Sequence, residues 1–327
     1  AESLIISATE ASGPKAGISV LSDLTASFAF RSDGHELAHK VGRQTAKHLG
    51  LGGEAFLSCP SDFNYGCQHG FFEQALAEAD NPAAAATLVC ENLPSNLPPK
   101  DKFYCYHGVG HGVMMSAAYD LNKSLEICDS LPSTTAADGC WQGTFMENVN
   151  GEMFGTSGKG VFDESDPLAP CNRLEEKYQW ECYINHAGYL VKFHDGSIKN
   201  AAASCLNASA KFVSSCLQSL GLMTTNPGWQ NALALAGSSE KADFVETAIQ
   251  LCNDFPKGYE SECIFAGIDN LLNFNSLTKA VDLCSKLGEA KKPACFSRIG
   301  QGLNNLVTSQ QQKLELCAEV PEQYRAY

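Results

Sequence analysis

The chain has 327 residues, and its acidic residues outnumber the basic ones enough to give a net charge of −14. Nucleic acids and anionic membrane surfaces bind basic patches, so this charge argues against both as partners. No apolar run approaches the roughly 18 residues that a transmembrane helix needs, and we expect no membrane span. A removed secretory signal would account for a chain that begins with AESL instead of Met.

Cysteines are frequent, with 15 in the chain, and they recur as widely spaced pairs. Zinc fingers and redox centres use C-x2-4-C or C-x-x-C spacings, which these pairs lack. Regular long pairs predict disulfides, and disulfides predict a secreted, periplasmic or cell-surface protein. Asn122 and Asn207 match the N-glycosylation pattern, which suggests a glycoprotein in an organism that glycosylates. The pairs are Cys59/Cys67, Cys90/Cys105, Cys128/Cys140, Cys171/Cys182, Cys205/Cys216, Cys252/Cys263 and Cys284/Cys295, and Cys317 is left over.

The cysteine pairs mark a repeated unit of two helices. The first cysteine ends an apolar-periodic stretch such as LNKSLEICDSLP, and the second opens another such as YCYHGVGHGVM. We call these the A helix and the B helix of a unit. Because one hairpin cannot bury its apolar face alone, the units must stack. The sequence therefore predicts an all-α fold of tandem disulfide-stapled αα-hairpin repeats that form a solenoid or an α/α toroid, with the B helices on its concave side.

The repeats predict one domain whose N-terminal and C-terminal parts differ in histidine content. Residues 1–327 are expected to form a single α-helical repeat domain. Within it, residues 1–150 hold histidine-rich repeats with a metal site, and residues 171–327 hold cysteine-paired structural repeats. Between them, residues 150–170 form the one long irregular insertion, which is either a surface loop or a lid over the concave face.

The first three B helices carry metal-ligating side chains at two fixed positions, two and six residues after the second cysteine or its equivalent. Five of the eight histidines in the chain fall there, and the C-terminal repeats keep the cysteines without them. A histidine required by the scaffold itself would recur in all repeats. In chain order, the residues at these positions are His35 and His39, His69 and Glu73, and His107 and His111.

These positions are expected to converge in space. Residues four apart share one helix face, and packed helices lie about 8–10 Å apart. Five imidazoles and one carboxylate suit zinc, iron, copper or manganese, as one ion or two. Glu147, on the fourth B helix, is a candidate further ligand or base. Candidates for an outer shell that orients the ligands are Glu36, Gln68, Tyr106, Gln142 and Asn148.

The stretch HELAH, residues 35–39, also matches the H-E-x-x-H motif of zinc peptidases, in which Glu36 would be the general base. Thr45 stands where the longer form of that motif has its third ligand. The motif is short enough to occur by chance, and the repeat register accounts for both histidines. A peptidase is therefore the weaker interpretation.

Three functional hypotheses remain open at this point. The first is an exported metalloprotein with a mono- or dinuclear site on the concave face; whether it is an enzyme is uncertain, and hydrolytic and oxygen chemistry are both compatible. The second is an extracellular scaffold that binds a protein or glycan, or assembles into a fibre, and the unpaired Cys317 favours it. The third is metal capture or storage without turnover.

Overall fold

The computed structural model describes residues 2–26, 34–63, 65–97, 99–154, 160–226, 243–274, 276–307 and 309–326. The regular secondary structure within these ranges is helical, and their one extended feature is an isolated bridge between Asp163 and Asp166. The predicted all-α class is confirmed. No helix within these ranges combines the length and the apolar character that crossing a bilayer requires.

The chain divides into two compact units, Ala1–Phe162 and Asp163–Tyr327. The boundary falls inside residues 150–170, which the sequence predicts to be irregular, although the helix that begins at Thr134 continues to Phe154. Helices in the described part of the N-terminal unit are α1 (Glu2–Ser12), α2 (Pro14–Ala26), α3 (Gly34–Leu49), α4 (Gly53–Ser58), α5 (Gly66–Ala77), α6 (Pro82–Cys90), α7 (Pro99–Ser116), α8 (Leu121–Asp129) and α9 (Thr134–Phe154). Those in the described part of the C-terminal unit are α10 (Glu176–Asn185), α11 (Ala187–Phe193), α12 (Ile198–Cys205), α13 (Val213–Thr224), α14 (Phe244–Asn253), α15 (Glu260–Asn273), α16 (Leu277–Lys286), α17 (Lys292–Leu306) and α18 (Gln310–Cys317).

All seven predicted disulfides are present, and each joins cysteines that are neighbours in the sequence. In six of them, the first cysteine lies in the last turn of an A helix or directly after it, and the second lies in the following B helix. Closing loops of 8 to 15 residues stabilises each hairpin by roughly 2.5–3 kcal/mol in the chain-entropy account. Cys317 is reduced and partly exposed.

Local sequence sets where the A helices begin. The side chains of Asn81, Asp120, Ser197 and Asp243 each accept a hydrogen bond from a backbone N–H in the first turn of the helix that follows. Such caps satisfy donors that have no partner inside the helix. The glycosylation candidates Asn122 and Asn207 are exposed, and their modification stays a prediction.

The B helices lie side by side within each unit. In the N-terminal unit α3 packs on α5, α5 on α7, and α7 on α9. In the C-terminal unit α13 packs on α15, and α15 on α17. Equivalent positions of successive repeats are therefore neighbours in space, which is the condition that a site built from several repeats requires.

Candidate metal centre

Five histidine side chains from three neighbouring helices converge in the N-terminal unit. α3 supplies His35 and His39, α5 supplies His69, and α7 supplies His107 and His111. The ring of His69 lies between the two pairs, with its centroid 4.2 to 5.5 Å from each of the other four. Four of the residues are buried, and His35 is partly exposed. The positions that the sequence pattern selects thus do meet.

Two glycines allow the helices to approach closely enough for this convergence. A Cβ atom on Gly70 would lie 1.9 Å from the backbone oxygen of His39, and one on Gly143 would lie 1.9 Å from that of His107. Any larger residue at these positions would push α3 away from α5, or α7 away from α9. Gly70 directly follows His69, and Gly143 directly follows Gln142, the equivalent residue of the fourth B helix. The close approach therefore occurs at the level of the cluster.

The pair on α3 is held by acceptors on its outer side. Nδ1 of His35 donates to the backbone oxygen of Phe63 at 2.7 Å. Nδ1 of His39 donates to Oε1 of Glu73 at 2.5 Å, and the other carboxylate oxygen of Glu73 accepts a hydrogen bond from Arg43. Both oxygens of Glu73 are therefore engaged, and they lie on the side of His39 that faces away from Nε2.

The pair on α7 repeats this arrangement with residues of α9. Nδ1 of His107 lies 3.0 Å from the side-chain oxygen of Gln142, and Nδ1 of His111 lies 2.9 Å from Oε2 of Glu147. The second oxygen of Glu147 accepts a hydrogen bond from the hydroxyl of Tyr119. In both pairs, a neighbouring helix thus supplies the carboxylate that fixes the second histidine.

Anchoring at Nδ1 leaves the Nε2 atoms as the ring nitrogens that face one another. The two Nε2 atoms are 2.9 Å apart in the pair His35 and His39, and 3.3 Å apart in the pair His107 and His111. Two lone pairs at these distances repel, so each pair needs a proton or a cation between its rings. Orientation of one imidazole nitrogen by an acceptor, with the other left to coordinate, is the usual arrangement around protein-bound metal ions.

The central histidine lacks such an anchor. Nδ1 of His69 is the one buried side-chain nitrogen or oxygen, among the residues that the structure describes, without a hydrogen-bond partner. An unpaired buried polar atom costs about 1–3 kcal/mol, so native structures seldom retain one without a reason. A metal ion at this nitrogen would remove that cost.

Burial makes most of the cluster poor at holding protons. It lowers the pKa of His35 and of His107 to about 4, and that of His69 and His111 well below the usual value. Burial acts in the same direction on His39, but the adjacent Glu73 outweighs it and raises the pKa of His39. Neutral imidazoles are the form that binds metal ions.

The two carboxylates have opposite electrostatic environments. Burial acts to raise the pKa of Glu73, but His39 and Arg43 outweigh it and hold the pKa below its ordinary value. Burial raises the pKa of Glu147 to about 7, against the hydrogen bond from Tyr119 that lowers it. In the absence of metal, Glu73 is therefore held in its charged form beside Arg43, whereas Glu147 is near its ionisation midpoint at neutral pH.

The outer-shell candidates from the sequence divide into two groups. Gln142 contacts an imidazole as an outer-shell residue would. Glu73 and Glu147, which the sequence predicts as candidate ligands, also contact imidazole nitrogens. By contrast, Gln68 donates to the backbone oxygen of Cys59, and Tyr106 donates to Glu91. The amide of Asn148 bonds the backbone of Val161, and Glu36 lies partly exposed with Arg43 3.8 Å from its carboxylate.

Three partners were not anticipated from the sequence. Arg43 is one turn beyond His39 on the same face of α3, so an extension of the four-residue periodicity would have found it. Tyr119 lies in the turn after α7, and Phe63 contributes only its backbone oxygen. No spacing rule connects those two to residues 28 positions away in the chain.

Equivalent positions in the C-terminal unit carry a different chemistry. Gln218 on α13 donates to Glu262 at 3.1 Å, and Arg298 on α17 pairs with Asp269 on α15. An amide at Gln218, a carboxylate at Asp269 and apolar side chains such as Phe265 thus stand where the imidazoles would be, while the helix–helix packing persists. The scaffold does not require histidines at these positions.

The remaining histidines lie outside the cluster. His48 is half exposed at the end of α3, and His194 bonds the hydroxyl of Ser204. His186 is close to Cys171 and Cys182, but those two sulfurs are joined in a disulfide and are not free to coordinate.

Comparisons with known proteins supply no assignment. The chain matches no protein-family model, no curated protein and no solved structure. The chemistry of the cluster therefore has to be inferred from its own side chains.

Proposed function

We propose that the N-terminal unit binds transition-metal ions through the five imidazoles. The observation that carries the proposal is the orientation of the rings: Nδ1 of four histidines is tied to an acceptor, and the freed Nε2 atoms of each pair face each other. The buried, unpartnered nitrogen of His69 supports the same conclusion. A purely structural buried histidine would have both ring nitrogens in hydrogen bonds, and Nδ1 of His69 has no such partner among the described residues.

Glu73 and Glu147 orient ligands in this proposal and do not bind the metal directly. Each uses both carboxylate oxygens in hydrogen bonds, one of them to the Nδ1 of a histidine. Such partners fix the ring orientation and make the imidazole a better ligand. The direct ligands are then nitrogen only. Imidazole suits zinc, copper, iron and nickel, whereas magnesium, calcium and manganese prefer oxygen, so zinc and copper are the first candidates.

The ligand count also bears on activity. Three imidazoles around one ion leave a coordination position for water or a substrate, as in catalytic zinc sites. Metal-assisted hydrolysis and oxygen chemistry are the reaction classes that such a site supports. The partly exposed His35 offers the side from which an ion or a small molecule would enter.

The location and the overall architecture are part of the proposal. Seven disulfides favour an oxidising compartment, so we place the protein in the periplasm, at the cell surface or outside the cell. Side-by-side packing of B helices within each unit supports a solenoid or an α/α toroid.

Metal analysis of the purified protein tests the proposed function. We expect at least one zinc or copper ion per chain, bound tightly enough to survive gel filtration. Replacement of both His107 and His111 by alanine should lower the bound metal while circular dichroism shows an unchanged helix content. His48→Ala is the matched control, because that histidine is exposed and outside the cluster. A wild-type protein that binds no metal stoichiometrically refutes the proposal and leaves the scaffold hypothesis.

A further inference from the structure

The ligand nitrogens form two sets that share one residue. Nitrogens of His35, His39 and His69 lie within 4.8 Å of one another, and so do nitrogens of His69, His107 and His111. Among the described residues, no larger set of potential ligands meets this distance. Two nitrogens on opposite sides of a single ion are separated by at most about 4.2 Å, given bonds of about 2.0–2.1 Å. One ion therefore cannot be reached by all five rings in this arrangement.

Each histidine pair is already spaced for an ion of its own. With metal–nitrogen bonds of about 2.05 Å, the Nε2 separation of 2.9 Å in the α3 pair corresponds to an angle of about 90° at the metal. The separation of 3.3 Å in the α7 pair corresponds to about 107°, close to the tetrahedral value. Both separations fall in the range that two ligands of one metal ion adopt. The two pairs are separate from each other, and the rings of His39 and His111 have centroids 6.5 Å apart.

His69 is the one ring that belongs to both sets. It contacts the rings of both pairs, and it has no protein partner for its buried Nδ1. An imidazole has two nitrogens on opposite edges, so a single ring can bind one ion on each side. Two ions joined in this way are about 6 Å apart, the sum of two metal–nitrogen bonds and the width of the ring.

We propose that the cluster is a dinuclear centre in which His69 bridges two metal ions, one held by His35 and His39 and the other by His107 and His111. This inference rests on the proposed function and adds the number of ions and the role of the central ring. The bridge is an imidazolate: a neutral ring carries one N–H, and binding of the second ion releases that proton to the solvent. A lone pair on each nitrogen then forms one bond to each ion.

Titration of metal-free protein with copper(II) measures the number of ions. We expect saturation at two equivalents per chain for the wild-type protein and for His48→Ala. The variant with alanine at His35 and His39 should saturate at one equivalent, and so should the variant with alanine at His107 and His111. Saturation of the wild-type protein at one equivalent overturns the dinuclear inference and leaves the proposed function standing. Binding of no copper refutes both.

Electron paramagnetic resonance tests the bridge itself. Two copper(II) ions that share an imidazolate are magnetically coupled, so the ordinary mononuclear signal should grow with the first equivalent and fall with the second. Each one-ion variant should keep the mononuclear signal at saturation. His69→Gln should abolish the coupling and weaken the binding of both ions at least about tenfold. Two uncoupled signals in the wild-type protein, or coupling that survives in His69→Gln, overturns the bridging role.

Discussion

Replacement of Gly70 by alanine tests the close approach of α3 and α5 on which the cluster depends. The added Cβ would lie 1.9 Å from the backbone oxygen of His39, whereas real Cβ atoms stay beyond 3.0 Å of such neighbours. The obstacle is backbone and cannot rotate away. The two helices must therefore separate by about 1.1 Å at this level.

That displacement is large on the scale of the contacts that it affects. The hydrogen bond from His39 to Glu73 is 2.5 Å long and would be lost. Metal–ligand distances tolerate about 0.2 Å, and His69 moves with α5 while His39 moves with α3. We expect the free energy of unfolding to fall by about 3 kcal/mol, at the upper end of overpacking costs. Metal affinity should fall at least about tenfold, the effect expected from the lost outer-shell hydrogen bond alone.

Denaturant unfolding with the disulfides intact, together with a metal competition assay against a chelator, measures both effects. Gly288→Ala is the matched control, because nothing lies within 4 Å of the Cβ that it would add and its backbone is not in the left-handed region. A Gly70→Ala protein with the stability and metal affinity of that control would falsify the close packing of α3 on α5.

Three further outcomes follow from the same contacts. Glu73→Gln should lower the pKa of His39, which NMR titration measures, and weaken metal binding about 10- to 100-fold, which chelator competition measures. Unchanged metal affinity would contradict an orienting role for Glu73. In metal-free protein, the stabilising contribution of protonated Glu147 is present below about pH 4.5 and lost as the pH rises through about 7. The free energy of unfolding of the wild-type protein, relative to Glu147→Gln, should therefore fall by about 2–3 kcal/mol over that range. A pH-independent difference would show that the pKa of Glu147 is not raised. Replacement of Cys205 and Cys216 by alanine should lower the stability of the C-terminal unit by about 3 kcal/mol and leave metal binding intact. A loss of bound metal would contradict the assignment of all ligands to the N-terminal unit.

The fold class and the disulfide pairing were predictable because both are local properties. Each disulfide joins neighbouring cysteines 8 to 15 residues apart, and the helical periodicity on either side is visible within one repeat. The convergence of the histidines was predictable for a related reason. Equivalent positions of stacked repeats become neighbours in space, so the register alone brings the three B helices' side chains together.

The chemical roles within the site required the tertiary structure. Glu73 occupies the same position within its repeat as His39 and His111 do within theirs. Its carboxylate nevertheless lies against a ring nitrogen on the outer side of the cluster. The sharing of His69 between two sets of ligands depends on ring orientations, which sequence spacing does not determine. The partners Tyr119 and Phe63 lie 28 residues from the groups that they hold.

The sequence by itself determined which side chains share a helix face and which repeats are neighbours, because these follow from the helical period and from the cysteine spacing. Only the tertiary structure decided which atoms face inward, because a side chain's direction depends on the packing of helices that are far apart in the chain. Gly70 and Gly143 set the separation of neighbouring helices to within about 1 Å. This separation lets the adjacent histidines approach closely enough to form a candidate metal centre.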